Sequence, residues 1–545
     1  MVRVSTGPGP EPERALGYSH TGSSHTFAAG ISYISILTGT FQLFYFGVEF
    51  AGPGYWWSWP MVFLGQLMVA LCFCELAARC PVAGSVHNWA RTLGGPHIGW
   101  LGGWMMVTAT MVSLSAVALA YQITLPQISE FFQFVGTGTG RTDAAANAVL
   151  LGSVLIVLTT LVNVFGVRLM ARISSAGLLV ELIAALTLIA LLASHLTHGP
   201  EVIDRTAGYG VGESLGHVCA FLTAALASAY VMYGFGTASS SPGGESPGEG
   251  SPGEGSPREG SPREKWLSEG SPRENSLGEE SPGPGRDAPR ALLRALVVCL
   301  LIGGLVLLFA LLAVPDLNSA RLSVDGLQFV VLSTLGPTVG ATVLWCVVIA
   351  ITVCALAVQA AGIRLVLAMA RDNSLPAASL LARVGPRSGT AVVPAIVTGL
   401  VAVGVLVINV NQPRIFSVIS GVAVVMIYLA CLTVTLPMLV RRLRGTWQPT
   451  SEGHFSLGRF GLPVNLLAVL WGIGMSANLA WPRSEVHGAE PPFPWYPRWG
   501  VLLFAAVVAA GGFTYYWLVQ RERTGAVEAH RSGAADPPST APTAT

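Results

Sequence analysis

Between Arg414 and Arg441 runs Ile415-Phe-Ser-Val-Ile-Ser-Gly-Val-Ala-Val-Val-Met-Ile-Tyr-Leu-Ala-Cys-Leu-Thr-Val-Thr-Leu-Pro-Met-Leu-Val440, 26 residues without a charge. About 20 apolar residues suffice for a helix to cross the hydrocarbon core of a bilayer. Working outward, the same reading recurs at Thr92–Ser129, Ala144–Val167, Ser388–Pro413 and Phe460–Pro482. Of the 545 residues 52% are apolar and 11% charged, with a mean hydropathy of +0.59, whereas a soluble domain needs about a quarter of its residues charged. The chain therefore reads as an all-α membrane protein of about twelve transmembrane helices. The expected spans are 28–50, 58–78, 98–125, 146–166, 173–196, 215–236, 291–314, 338–370, 391–411, 415–440, 461–481 and 500–519.

Orientation follows from the basic residues, which concentrate in cytoplasmic loops. With the N-terminus inside, the inner segments hold 23 of the 30 Lys and Arg. The outer loops hold six (Arg141, Arg205, Arg321, Arg414, Arg483 and Arg498), and Arg364 lies within the eighth span. Both termini are thus expected in the cytoplasm of a multi-pass plasma-membrane protein. The tails, 1–26 and 525–545, have the composition of disordered segments, and the first carries no apolar stretch of the kind a cleavable signal peptide needs. The expected organisation is a first five-span repeat at 27–196, a second at 215–440, and two further spans at 461–519.

Within the second repeat, 239–285 stands out as a low-complexity insertion. From Ser241 it repeats SPGGE, SPGEG, SPGEG, SPREG and SPREK, then SEGSPREN. Proline and glycine every few residues exclude a helix, and almost nothing there could build a core. Repeat expansion in a tolerant cytoplasmic loop is the expected explanation, with a regulatory docking role as the alternative.

A continuous transmembrane helix satisfies its own backbone and offers nothing to a polar solute; transporters interrupt helices to free peptide groups. Two spans show such interruptions, Ser35-Ile-Leu-Thr38-Gly39-Thr40 in the first and Tyr233-Gly234-Phe235-Gly236-Thr237 in the sixth. They open the two five-span halves, the correspondence an inverted repeat requires. Amides near Thr38, Gly39 and Thr40 at a half-helix N-terminus could hold a carboxylate. Carbonyls near Tyr233 and Gly234 could accept from an ammonium group, with Ser35 and Gly236 in the same interruptions and Phe235 covering the ligand. Ordinary helix packing through small residues is the competing explanation for the glycines.

Ionisable groups inside spans carry further expectations. Glu181 lies in mid-span five, where an ionised carboxylate is costly, so it is the candidate for proton coupling; a structural contact between helices is the alternative. Glu75 and Arg79 are four apart and are expected to pair. Glu49 belongs to the outer end of span one. Gln359 lines the cavity or bonds a neighbouring helix. The eight cysteines fit no metal site or disulfide framework. There is no Walker loop, His-Glu-x-x-His or Gly-x-Ser-x-Gly, so neither an enzyme nor a directly ATP-driven pump is expected. No cofactor, metal or nucleic-acid partner is expected either. The partners are a small-molecule ligand and the lipid bilayer, with the chain working as a monomer or weak homo-oligomer.

Glu75-Leu-Ala-Ala-Arg79-Cys-Pro81-Val-Ala-Gly84-Ser-Val-His-Asn-Trp89-Ala, followed by Gly99-Trp-Leu-Gly-Gly-Trp104, resembles the second-to-third-span segment of the amino acid–polyamine–organocation superfamily. Arg364-Leu-Val-Leu-Ala368-Met-Ala-Arg371-Asp372-Asn-Ser-Leu375-Pro376 is similar to the segment closing its eighth span. Phe455-Ser-Leu-Gly458-Arg-Phe-Gly461-Leu-Pro463-Val-Asn465 resembles its approach to span eleven, especially in the amino acid/choline (GABA-permease-like) branch. The resemblance implies a leucine-transporter-like five-plus-five inverted repeat with two C-terminal helices. It also implies secondary transport, proton-coupled or by exchange, of an amino acid, GABA, choline or a polyamine. A sensor built on a transporter scaffold is the alternative. Two departures stand out. Gly236 occupies the position after Gly-Phe where the family usually has an acidic residue, and the family's continuation resumes only at Ser276-Leu-Gly-Glu279-Glu280 and Arg286-Asp-Ala-Pro289-Arg290. The repeat therefore interrupts span six in its inner half or just below it.

Overall fold

A computed structural model describes residues 35–79, 85–136, 143–205, 214–234, 284–385, 390–410, 414–447, 455–483 and 498–521. Phe235, Gly236, both tails and nearly all of the repetitive segment lie outside the described residues. Among those described, every regular element is helical. The principal helices are α1 (Ile36–Ala51), α2 (Ser58–Arg79), α3 (Ser85–Gly94), α4 (Pro96–Ala118), α5 (Ala120–Ile128), α6 (Asp143–Phe165), α7 (Val167–Ala193) and α8 (Ser214–Met232). They continue with α9 (Pro284–Val298), α10 (Gly304–Ala313), α11 (Leu322–Arg371), α12 (Ala378–Leu381), α13 (Val392–Ile408), α14 (Ile415–Leu443), α15 (Gly461–Ala480) and α16 (Gly500–Tyr515).

Nine helical runs among the described residues are long and apolar enough to cross a membrane. One of these, Ile36–Arg79, contains both α1 and α2, and Gly216–Met232 and Val392–Ile408 are shorter apolar helices. The helices sort into a buried centre and an apolar rim. Every residue of α1 except Tyr45 and Glu49 is buried, because α8 and α11 flank it and α14 packs on α4 behind. By contrast, α6, α7, α15 and α16 expose apolar side chains such as Leu161, Leu186, Leu470 and Val507. An apolar exterior around a buried polar-containing centre is what lipid, rather than water, selects.

Three breaks shape the bundle. Ser35 sits at φ 33°, ψ 89°, in the left-handed region that a non-glycine residue rarely adopts, and α1 starts immediately after it. In α11 the helix is reset at Gly326 (φ 62°) and Gly336 (φ 79°), the latter followed by Pro337, so the expected span at 338–370 begins where the chain re-enters helix. Between α9 and α10 the turn widens over Cys299–Gly303, which loosens carbonyls from the helical ladder. Trp59 Nε1 donates to Leu300 O at 3.1 Å and Trp56 Nε1 to Gly304 O at 3.0 Å, so two indoles meet that need.

One pairing expected from spacing is corrected. Glu75 is not held by Arg79 one turn along; Arg442 Nη2 of α14 donates to its Oε2, and Trp447 Nε1 to its Oε1 at 3.2 Å. Arg79 instead lies over the Trp447 ring at 4.2 Å, with Arg442 at 4.8 Å. Burial explains the choice. Glu75 is 1% exposed, and a buried carboxylate needs a partner that is buried with it, as the Arg442 side chain is.

Candidate functional site

The N-terminus of α1 lies deep in the bundle rather than at a surface. The first residues of a helix leave their amides without intrahelical acceptors, and here those belong to Ser35 through Thr38. Gly39 N already donates to Ser35 O at 3.2 Å. The half-helix end expected around residues 38–40 thus falls at Ile36, and Gly39 and Thr40 are wound into the first turns. Thr40 Oγ1 is bound to Ile36 O at 2.7 Å and points along its own helix.

What meets this end is Glu181 of α7. Its Oε1 accepts from Leu37 N at 3.2 Å and from Ser35 Oγ at 3.0 Å, and the Ile36 amide is directed at the same carboxyl group. Thr38 Oγ1 lies 2.6 Å from Ser35 Oγ, extending the network. Glu181 is 2% exposed, and its Oε2 has no hydrogen-bond partner among the described residues. The side chain singled out for proton coupling and the helix end singled out for binding therefore form one constellation. Sequence reasoning had no signal for that contact, because 146 residues separate Ser35 from Glu181.

Beside the network is a small cavity. Ser35, Thr38 and Gly39 line one side, and Tyr230, Tyr233 and Gly234 the other. Val117 of α4 and Cys354 of α11 help to close it. It has room for a water molecule rather than for an amino acid, so the start of α1 and the end of α8 are drawn together. Gly39 permits this approach: a Cβ built there would stand 2.6 Å from Val231 Cγ2 and 3.3 Å from Val231 Cα. On the far side α8 ends at Met232, and Tyr233 and Gly234 continue in a tighter turn. Tyr230 lines the cavity one turn before them, a neighbour that helical spacing from Tyr233 and Gly234 points to. Gln359 is turned elsewhere. Its Nε2 donates to Thr160 Oγ1 at 2.6 Å and its Oε1 accepts from Asn163 Nδ2 at 3.3 Å, so it joins α11 to α6. Glu49 is paired with Arg414, whose Nη1 and Nη2 each donate to Oε1 at 3.2 Å.

A buried helix N-terminus facing the end of α8 across a small cavity, inside a bundle of long apolar helices, is an arrangement that membrane permeases use. The comparisons with known proteins agree. Residues 275–507 match one family model described as amino acid permease, and residues 28–242 match another of the same description. The amino-acid permease BAT1 of Arabidopsis thaliana is 21% identical over 484 residues, covering 85% of this chain and 86% of that protein. The branched-chain amino acid permease BcaP of Lactococcus lactis is 30% identical over 118 residues, 20% of this chain and 25% of the relative. The methylthioribose transporter of Bacillus subtilis is 25% identical over 399 residues, 69% and 74% of the two chains. The chain belongs to the amino acid–polyamine–organocation superfamily.

Proposed function

We propose that this protein is a secondary active transporter that carries an amino acid or a related small amine across the plasma membrane by alternating access. In this reading about twelve spans, with both termini cytoplasmic, comprise two inverted five-helix halves and two additional C-terminal helices. The observation that carries the reading is the meeting of the α1 N-terminus with the end of α8 at one buried cavity. Peptide donors on one side and the turn at Tyr233 and Gly234 on the other suit the two ends of a small dipolar solute. The names of BAT1 and BcaP support an amino-acid substrate, and choline or a polyamine, which the superfamily resemblance also implies, is the alternative within the same mechanism.

Glu181 is the proposed coupling residue. A carboxyl group in mid-bilayer is better tolerated neutral than charged, so it takes up a proton in one half of the cycle and releases it in the other. Uptake of labelled leucine and of labelled γ-aminobutyrate into proteoliposomes with an inward proton gradient tests the function. Accumulation above the external concentration, abolished by a protonophore, is expected. Binding without accumulation would point instead to a sensor.

A further inference from the structure

The end of α1 is a 16-residue helix's worth of oriented peptide dipoles, and a carboxylate already sits on it. We infer that this helix end is a single anion seat: Glu181 holds it when ionised, and an incoming carboxylate takes it only when Glu181 is protonated. The inference rests on the reading above that the solute reaches the α1 terminus from the adjoining cavity.

Geometry carries the argument. Of the donors at this helix end, the amides of Ile36 and Leu37 and the Ser35 hydroxyl are directed at Glu181. Ser35 and Thr38 belong both to this network and to the cavity wall, so a solute carboxylate entering the cavity reaches for donors that are already engaged. Two ionised carboxylates on the same amides would repel one another in a medium that screens poorly. Among the described residues, the groups facing Glu181 offer no compensating cation. They are the thiols of Cys299, in the widened turn after α9, and of Cys354 on α11, while the first turns of α1 carry no ionisable side chain. Protonation removes the repulsion and weakens the hold of Glu181 on the amides, since a neutral acid accepts hydrogen bonds less strongly than a carboxylate. The proton comes from water on the side from which the solute enters, and returns to water when the solute leaves and Glu181 reclaims the seat. Solutes that carry an amine but no carboxylate do not compete for it.

Purified full-length protein and its Glu181→Ala variant, melted at alkaline pH, where Glu181 is ionised and holds the seat, with rising sodium formate against sodium chloride of matched ionic strength, test the seat directly. Formate should raise the variant's melting temperature saturably and leave the wild type unmoved; equal responses would overturn the inference. A second arm uses Glu181→Gln, which keeps an acceptor for the Leu37 amide. In the wild type, affinity for γ-aminobutyrate should tighten about tenfold per unit fall in pH above the titration, whereas affinity for butylamine should not. In the variant both should be flat, and a pH dependence that survives the substitution, or one shared by butylamine, would defeat the idea. If the wild type binds no amino acid while formate still stabilises Glu181→Ala, the seat stands and the proposed substrate falls.

Discussion

Gly39 has no room for any other side chain, and that makes the binding proposal testable at one position. The nearest neighbour of an added Cβ is Val231 Cγ2 at 2.6 Å, with the Val231 backbone close behind at 3.3 Å. A leucine would push α1 from α8 and fill the cavity between them. Gly39→Leu is therefore expected to lose solute binding in a thermal-shift assay while still inserting and purifying as a monodisperse species; unchanged affinity would count against a site at this crossing. Gly234→Leu should behave alike from the opposite wall. Glu181→Gln belongs to the same scale. With a neutral carboxamide that cannot ionise in place of the carboxyl group, the variant should lose the rise in uptake that the wild type shows as external pH falls, and a retained rise would remove Glu181 from the coupling step. These residue types were legible in the sequence because a glycine pair or a carboxylate in mid-span violates the default composition of a membrane helix. Their relation was not, since composition says nothing about which violation touches which.

The helices themselves show where local reading succeeds and where it gives way. Expected spans such as 415–440 and 461–481 fall on α14, Ile415–Leu443, and α15, Gly461–Ala480, because a bilayer imposes one length on every crossing. Breaks inside helices were harder to foresee. The interruption expected at 35–40 contracts to Ser35, with helix from Ile36 onward, and the widened turn at Cys299–Gly303 is recognisable only once Trp56 and Trp59 are seen donating to it. The Glu75–Arg79 spacing suggested a pair within one helix, yet the true pair joins α2 to α14 across 367 residues. Segments that resemble the superfamily converge at this end of the bundle. His87 Nε2 and Arg91 Nη1 lie 3.3 and 3.6 Å from Asp372 Oδ2, and Trp100 Nε1 donates to Ser374 O at 2.9 Å. These contacts tie α3 and α4 to the end of α11, as Glu75 ties α2 to α14. Removing one partner of a buried ion pair costs about 3–5 kcal/mol, because the other charge is left without compensation. Arg442→Ala should therefore lower the melting temperature clearly. Arg79→Ala, which removes a stacking contact on Trp447 rather than the counter-ion, should cost less, about 1 kcal/mol. Equal losses would show that the two arginines share the role.

At the scale of the whole chain the repetitive segment and the helical bundle are separable. The two family matches end at residue 242 and resume at 275, so the stretch they leave between them is the run of Ser-Pro-Gly-Glu units. The core on either side closes without it: α8 packs against α1 and α2, and α9 against α2, so both flanks are anchored in the same bundle. Loop length weighs little on such an arrangement, since each doubling of a flexible connection costs only about 0.6 kcal/mol. Deleting Ser241 to Asn275 should consequently leave uptake in proteoliposomes intact or raise it, with the melting temperature shifted by no more than about 2 °C, the scale of a sub-kcal/mol change in a chain this long. Span six is the sensitive point, because Gly234 borders the cavity and the insertion begins only a few residues beyond it. If the deletion abolishes uptake while the protein still melts cooperatively, the repeats act on the moving end of that span, and a tolerated expansion is the wrong description of them.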